Sequence, residues 1–479
     1  SAYRAVLKNA GSIFLIRLFP ALANVIVMVL FSRALSTEDY GHYQNFWIRL
    51  LLLSSLAGMG LPVTLLTYSP ELIRGFARKL ATSRIFIMVL WPLMCAVVFA
   101  WLEYRAVGMV SLLSGGILLL YAGYAVLEAM MIAAKKFPVI SLLNGLFAAW
   151  FLIIHYYVLR EGYDIHRIFG WVLAGMLVRF ALLGFIARKV YSTAAVQEPA
   201  QELVAKASKL WLHLGFYDLT IIVFRWIDKF FISLFLTAQL SAIYFNGSQD
   251  VPFLPLILGA VSSSVLVQLA GKTAGSGVLA QELISRSSRL LASLVFPIFF
   301  FLFFFAEEIF SVVFSAKYQA SVPIFLVSIL VLPLRSYNYT TVLQHLHRGD
   351  IINKGAILDL ALACILMYPF YLTLGLPGVA LSFVISTYVQ VGYYLWNMSR
   401  LLRKPVASLI PWNDWAWKFL LFGTILGAGH WLTKSIFTPP QVVVAGVTLL
   451  LSVIALFFLP VLIKQRKMVG ETDPYLDAK

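Results

Sequence analysis

The chain has 479 residues, of which 61% are hydrophobic and only 12% charged, at a mean hydropathy of +0.88. An ordinary soluble domain is about 25% charged, so a soluble protein is excluded and an all-α polytopic membrane protein is expected. The net charge of +16 suggests nucleic-acid binding only if its placement is ignored. In a membrane chain it reports the bias of basic residues toward the cytoplasmic face, and no nucleic acid is expected among the partners.

Runs of about 20 apolar residues predict fourteen transmembrane helices. Six cover 10–32, 42–66, 84–102, 109–134, 137–159 and 168–188; six more cover 212–236, 242–270, 290–306, 322–343, 355–374 and 377–399; a final pair covers 415–433 and 441–463. Residues 1–9 are short and basic and lead into a run long enough to span, so no cleavable signal is expected. With the N-terminus placed in the cytoplasm, the inner segments hold 24 of the 37 lysines and arginines and the outer segments six. That bias alternates correctly over all fourteen spans, which predicts cytoplasmic N- and C-termini.

The longest polar break, 192–209, separates helix six from helix seven and reads as a cytoplasmic linker. The expected organisation is an N-lobe over 1–190, a linker over 191–210, a C-lobe over 211–402, and the last two helices with a cytoplasmic tail over 403–479. An offset of about 201 residues lays Ser36-Thr37-Glu38 on Thr237-Ala238-Gln239, Tyr43 on Tyr244, Asn45 on Asn246 and Arg17 on Asp218. Matched span counts on either side of one linker suggest duplicated lobes with a substrate site between them. Pro62, Pro252, Pro255, Pro297 and Pro333 fall inside spans, where each can kink a helix. Cys95 and Cys364, both in apolar runs, are read as free core residues, and the scattered histidines give no metal-ligand spacing.

The arginines inside apolar runs carry the functional argument. Arg17, Arg49, Arg179, Arg225 and Arg335 each sit within a span, where a cation at the bilayer centre costs about 2.5 to 3.5 kcal/mol. A hydrated, basic interior that receives an anion explains them together. Residues three, four, seven and eleven apart share a helical face. Helix seven thereby places Asp218, Arg225 and Lys229 on one stripe with Asp228 beside Arg225, either an ion-pair cluster or an anion-binding face. Helix one groups Arg17 with Asn24 past a bend expected at Pro20. Helix two groups His42, Asn45 and Arg49, and helix ten groups Arg335, Asn338 and Tyr339. Arg179 follows Gly175 on the same face of helix six. Lys418 reads as a lysine snorkelling to the inner interface. Guanidinium groups suit phosphate because their planar fork donates two hydrogen bonds at once. Among the acids, Glu128 follows Tyr121 and Tyr124 on one face of helix four. It is a candidate site for a coupling cation, as are Asp218 and Asp228; Asp359 is expected near the inner interface and solvated.

Three segments resemble the multidrug/oligosaccharidyl-lipid/polysaccharide (MOP) exporter superfamily, and within it the polysaccharide (O-antigen) flippase branch. Residues Phe31 to Tyr43, FSRALSTEDYGHY, are similar to the family's R-x-L-G-P-E-D-Y-G-x-Y, with Ser36-Thr37 in place of Gly-Pro. Locally this segment is a helix start, with Ser36 or Thr37 as N-cap and acids in the first turn. Residues Trp226 to Ile232 leading to Tyr244, and Ile309 to Ala320, match two further family segments, with Ser315 and Ala316 replacing a common glycine. The resemblance implies two lobes around a V-shaped cavity, alternating access, and a bacterial or archaeal inner-membrane location. It further implies as cargo an isoprenoid-(pyro)phosphate-linked saccharide bound for the outer leaflet, with Arg17 and Arg49 meeting the phosphates. A glycan polymerase, other polysaccharide-assembly proteins and membrane lipids are the partners it implies. No cofactor is expected; coupling to Na+, to H+ or to the membrane potential stays open. The rivals are a cation-coupled drug extruder of the same superfamily, using Asp228 or Glu128, and a membrane-embedded glycosyltransferase. The second is disfavoured because the outer loops are short and lack paired carboxylates. A pure scaffold leaves the central arginines unexplained.

Overall fold

The structure is a computed structural model that describes residues 2–66, 68–79, 82–251, 254–255, 277–346 and 348–471. Side chains are described at all of these except 2–15, 17, 82–84, 210, 213–214, 217–218, 277–280, 345, 459 and 461–471. The protein is an all-α, multi-pass membrane protein. Among the described residues there is no strand, and nine stretches are long and apolar enough to cross a membrane, with Leu18–Ala34 a shorter apolar helix. The chain divides into two compact units, Ser1–Ala242 and Ile243–Lys479.

The first unit opens with α1 (Ala2–Ala34), which continues as helix through Pro20. The turn that follows is set by sequence: Ser36 caps α2 (Thr37–Gly58), its Oγ accepting the Asp39 N–H at 3.0 Å, and Glu38 and Asp39 occupy the positive first turn. α2 stops at Met59 and Gly60, both left-handed (φ 47° and 69°), and the chain resumes as the short α3 (Leu61–Leu65) with Pro62 in its first turn. The amphipathic α4 (Pro70–Lys79), then α5 (Thr82–Val107), α6 (Ser111–Ala133), α7 (Phe137–Glu161) and α8 (Ile165–Thr193) follow. Asp164 caps α8, its carboxylate accepting the His166 N–H at 3.0 Å.

Between α8 and α9 (Gln201–Phe235) only residues 194–200 leave the helical state, a shorter break than the expected 191–210. They are held by α4: Arg74 donates to the Ala194 carbonyl, Lys79 Nζ to that of Pro199 (2.8 Å), and the Gln197 N–H to that of Glu71 (3.3 Å). Helix α9, assigned to the C-lobe from sequence, packs on α2 and α3 and belongs to the first compact unit. The reason is a glycine pair. A Cβ on Gly60, in the turn between α2 and α3, or on Gly215 of α9 would strike the other segment's backbone, so α9 meets that turn where neither glycine carries a side chain. α10 (Ala238–Gly247) opens against α2 in the same way at Gly41, and Gln239 donates to Glu38 (3.0 Å), the residue the 201-residue offset lays on it. An aromatic core of Phe31, Tyr43, Phe46, Phe99, Phe151 and Phe169 surrounds the buried His155. The His155 Nδ1–H donates to the Phe151 carbonyl (2.6 Å), which leaves Nε2 to accept the Tyr43 hydroxyl (2.7 Å).

The second unit contains α11 (Gly277–Phe304), α12 (Ala306–Val313), α13 (Val322–Ser328), α14 (Tyr339–His345), α15 (Gly349–Leu374), α16 (Leu376–Leu402), α17 (Trp412–Lys434) and α18 (Pro439–Glu471). α15 packs along α16, and α11 packs on α17 and α18 through Phe296, Phe299, Phe300 and Phe419. The tenth expected span is not one helix. α13 gives way to tight turns at Ile329–Val331 and Pro333–Ser336, and Tyr337 (φ −132°, ψ 135°) and Asn338 (φ −93°, ψ 86°) are extended before α14 begins. Pro333 is part of the cause, because it supplies no N–H to continue the ladder.

Candidate functional site: the arginines inside the spans

Arg49 on α2 is buried, and each of its three nitrogens donates a hydrogen bond. Its Nη1 donates to Glu103 of α5 at 3.1 Å, its Nε to the Ser233 hydroxyl of α9 at 3.3 Å, and its Nη2 to the Ser233 carbonyl. Glu103 is completely buried, with its second oxygen lacking a partner. Removing one member of such a pair strands the other charge in a dry interior, at about 3–5 kcal/mol. Sequence reading missed Glu103 because it sits at the C-terminal end of its run beside Arg105, where an acid is ordinarily solvated.

Arg179 on α8 is treated differently. Its guanidinium lies between two rings, 3.7 Å from the centroid of Tyr124 and 3.9 Å from that of Phe147, and its buried Nε has no hydrogen-bond partner. Cation–π contact in a desolvated setting is worth about 2 kcal/mol. Beside it runs a polar chain: the Tyr124 hydroxyl donates to Asn144 Oδ1 (2.6 Å), and Asn144 Nδ2 donates to Glu128 (3.0 Å), with a longer bond to the Ile16 carbonyl (3.4 Å). The structure thus gathers Arg179 and Glu128, predicted separately on helices six and four, around Tyr124. Asn144 of α7, which no sequence motif singled out, joins them.

The other predicted residues are not gathered here. Arg225 is exposed on α9 and makes no ion pair among the described residues, while Lys229 pairs with its chain neighbour Asp228 at 3.5 Å. Asn24 is exposed. The side chains of Arg17 and Asp218 lie outside the described residues. Asn45 is buried with its Oδ1 unpartnered. Arg335 lies in the second unit, paired with Asp250 at 3.6 Å.

Four expectations are corrected. Arg335, Asn338 and Tyr339 do not share a helical face, since the helix is broken between them. Asp359 is buried rather than solvated, with Oδ1 unpartnered. Lys418 does not snorkel: it is buried, bonded to Asp414 (2.7 Å) and to the Arg289 carbonyl (2.6 Å). Cys95 is buried as expected, but Cys364 is exposed.

The broken span exposes a second concentration of unsatisfied groups. Ser336 Oγ, Tyr337 Oη, Asn338 Nδ2 and Tyr339 Oη are all buried without a partner. Each orphaned polar group costs about 1–3 kcal/mol in a dry interior.

The multi-pass helical fold, with non-helical backbone inside an expected span and a buried arginine at position 49, is shared by solved structures. The chain superposes on a lipid II flippase, MurJ, in an inward-closed conformation, with a TM-score of 0.64 at 16% identity over 93% of this chain and 98% of that one. It also superposes on an inward-facing multidrug-resistance MATE transporter of the MOP superfamily, with a TM-score of 0.51 at 16% identity over 81% and 95%. The Vibrio cholerae MATE transporter VcmN, in a mutant form, gives 0.52 at 14% identity over 83% and 97%. The likeness is one of fold, shared with these three solved structures. No protein-family model matches the chain, and no curated protein matches it.

Proposed function

We propose that the protein is a transporter, not an enzyme. In this reading it is a flippase that carries an anionic isoprenoid-(pyro)phosphate-linked oligosaccharide from the inner to the outer leaflet of the cytoplasmic membrane by alternating access. The membrane potential assists, because moving one negative charge outward across about 100 mV is worth about 2.3 kcal/mol. Both termini face the cytoplasm, and the cargo is a precursor for surface polysaccharide.

Arg179 carries this reading. It is a half-buried cation whose buried Nε has no acceptor and whose faces are covered by rings. A phosphate oxygen supplies the missing acceptor, and a cationic drug is repelled. Arg17, Asn24, Arg225 and Lys229 remain proposed contacts for the anionic head group, whereas Arg335 is paired with Asp250. Arg49, whose donors are already engaged, secures α2 to α5 and α9.

Reconstitution into vesicles tests the proposal. Wild type is expected to translocate a polyisoprenyl diphosphate saccharide, Arg179→Lys to retain part of the rate, and Arg179→Gln to lose about tenfold or more. Unimpaired translocation by Arg179→Gln overturns the role of this residue. A cation-coupled extruder is favoured by one set of observations, the buried acids Asp228, Glu103 and Asp359. Cation-driven efflux of a cationic dye, without lipid translocation, selects that alternative.

A further inference from the structure

Tyr337 and Tyr339 stand where the tenth expected span loses its helix. Because Tyr337 and Asn338 are extended, alternate residues share a side. The two tyrosine rings accordingly pack together, centroids 5.0 Å apart at 43°. Both hydroxyls are buried and neither has a partner. The phenol of Tyr388 does not serve them, since it donates to the Leu330 carbonyl at 2.8 Å. Backbone that leaves the helix inside a membrane is tolerated where it is enclosed by protein or lines a hydrated cavity, and interrupted helices of transporters mark substrate sites.

We infer that the Tyr337–Tyr339 pair is a binding subsite for a neutral, hydroxyl-rich saccharide unit of the cargo. The inference rests on the flippase reading above and extends it from the charged head group to the sugar. Charge decides the ligand class. The adjacent cation, Arg335, already faces Asp250 at 3.6 Å, so the segment offers no unbalanced charge to a phosphate or to a cationic drug. A sugar hydroxyl both gives and takes a hydrogen bond, as a phenol does, and the apolar face of a pyranose packs on an aromatic ring. Asn338 Nδ2, on the residue between the two tyrosines, adds an unused donor.

The test compares two probes on purified protein in detergent: a polyisoprenyl diphosphate, and the same lipid carrying one N-acetylhexosamine. Wild type is expected to bind the sugar-bearing lipid about tenfold more tightly. The double variant Tyr337→Phe with Tyr339→Phe keeps the rings and removes only the hydroxyls. It is expected to lose that increment while binding the bare diphosphate as wild type does. If the double variant keeps the full preference, the hydroxyls are satisfied by buried water and the subsite is overturned. A wild type indifferent to the sugar overturns it as well and leaves the flippase reading standing. If wild type binds neither lipid, the flippase reading falls and takes the subsite with it.

Discussion

Arg49 is met by a carboxylate, a hydroxyl and a backbone carbonyl. Arg179, inside another expected span of the same unit, is met by two aromatic rings and keeps a buried Nε with no acceptor. The first arrangement neutralises its charge locally and ties three helices together. The second lowers the cost of a desolvated cation without cancelling it, because a ring quadrupole attracts but accepts no strong hydrogen bond. The number of arginines inside spans therefore does not measure an anion site. What each one's donors already hold does.

The sharpest way to break this contrast is at Glu103. Glu103→Ala strands the Arg49 charge, and a loss of about 3–5 kcal/mol is expected, seen as a large drop in the unfolding temperature of detergent-solubilised protein. The paired change Arg49→Met with Glu103→Leu is expected to recover most of it. Unchanged unfolding in Glu103→Ala shows that the pair is not structural. At Arg179 the opposite pattern is expected: Arg179→Gln lowers translocation about tenfold while shifting stability by no more than about 2 kcal/mol. A collapse in stability there places Arg179 in the same class as Arg49.

Two smaller changes sharpen the comparison. Glu128→Gln keeps an acceptor for Asn144 but removes the carboxylate from the Arg179 patch. If Glu128 holds a coupling cation, the dependence of transport on a cation gradient disappears in this variant. If it only positions Asn144, the gradient dependence stays as in wild type. Ser233→Ala removes only the longer of the two contacts from Ser233 to Arg49 and leaves the backbone carbonyl in place, so a loss of about 0.5–1 kcal/mol is expected. A loss as large as that of Glu103→Ala reassigns the hold on Arg49 from α5 to α9.

Much of the fold was legible in the chain. Apolar run length located most of the described helices, although most of the expected span 242–270 lies outside the described residues, and Ser36 with Glu38 and Asp39 announced the start of α2, because caps and hydrophobic runs are local properties. The site was legible only in part. Arg179 and Glu128 stood out as charges inside apolar runs, whereas Asn144 carries no such mark, and Glu103 sits at a run's end where an acid costs little. Asp359 and Lys418 were misjudged for the same reason: position along a helix gives depth, not which neighbouring helix covers the side chain.

By itself the sequence determined a helical, membrane-spanning chain with cations where lipid disfavours them, since hydropathy and charge placement need no partner to act. Tertiary structure alone decided which cation is spent on a carboxylate and which is held between rings. It also decided that the tenth span unwinds at Tyr337 and that α9 joins the first unit at Gly60 and Gly215. Those outcomes depend on contacts between residues far apart in the chain, where a pair is made or missed by a few ångströms that no local pattern encodes.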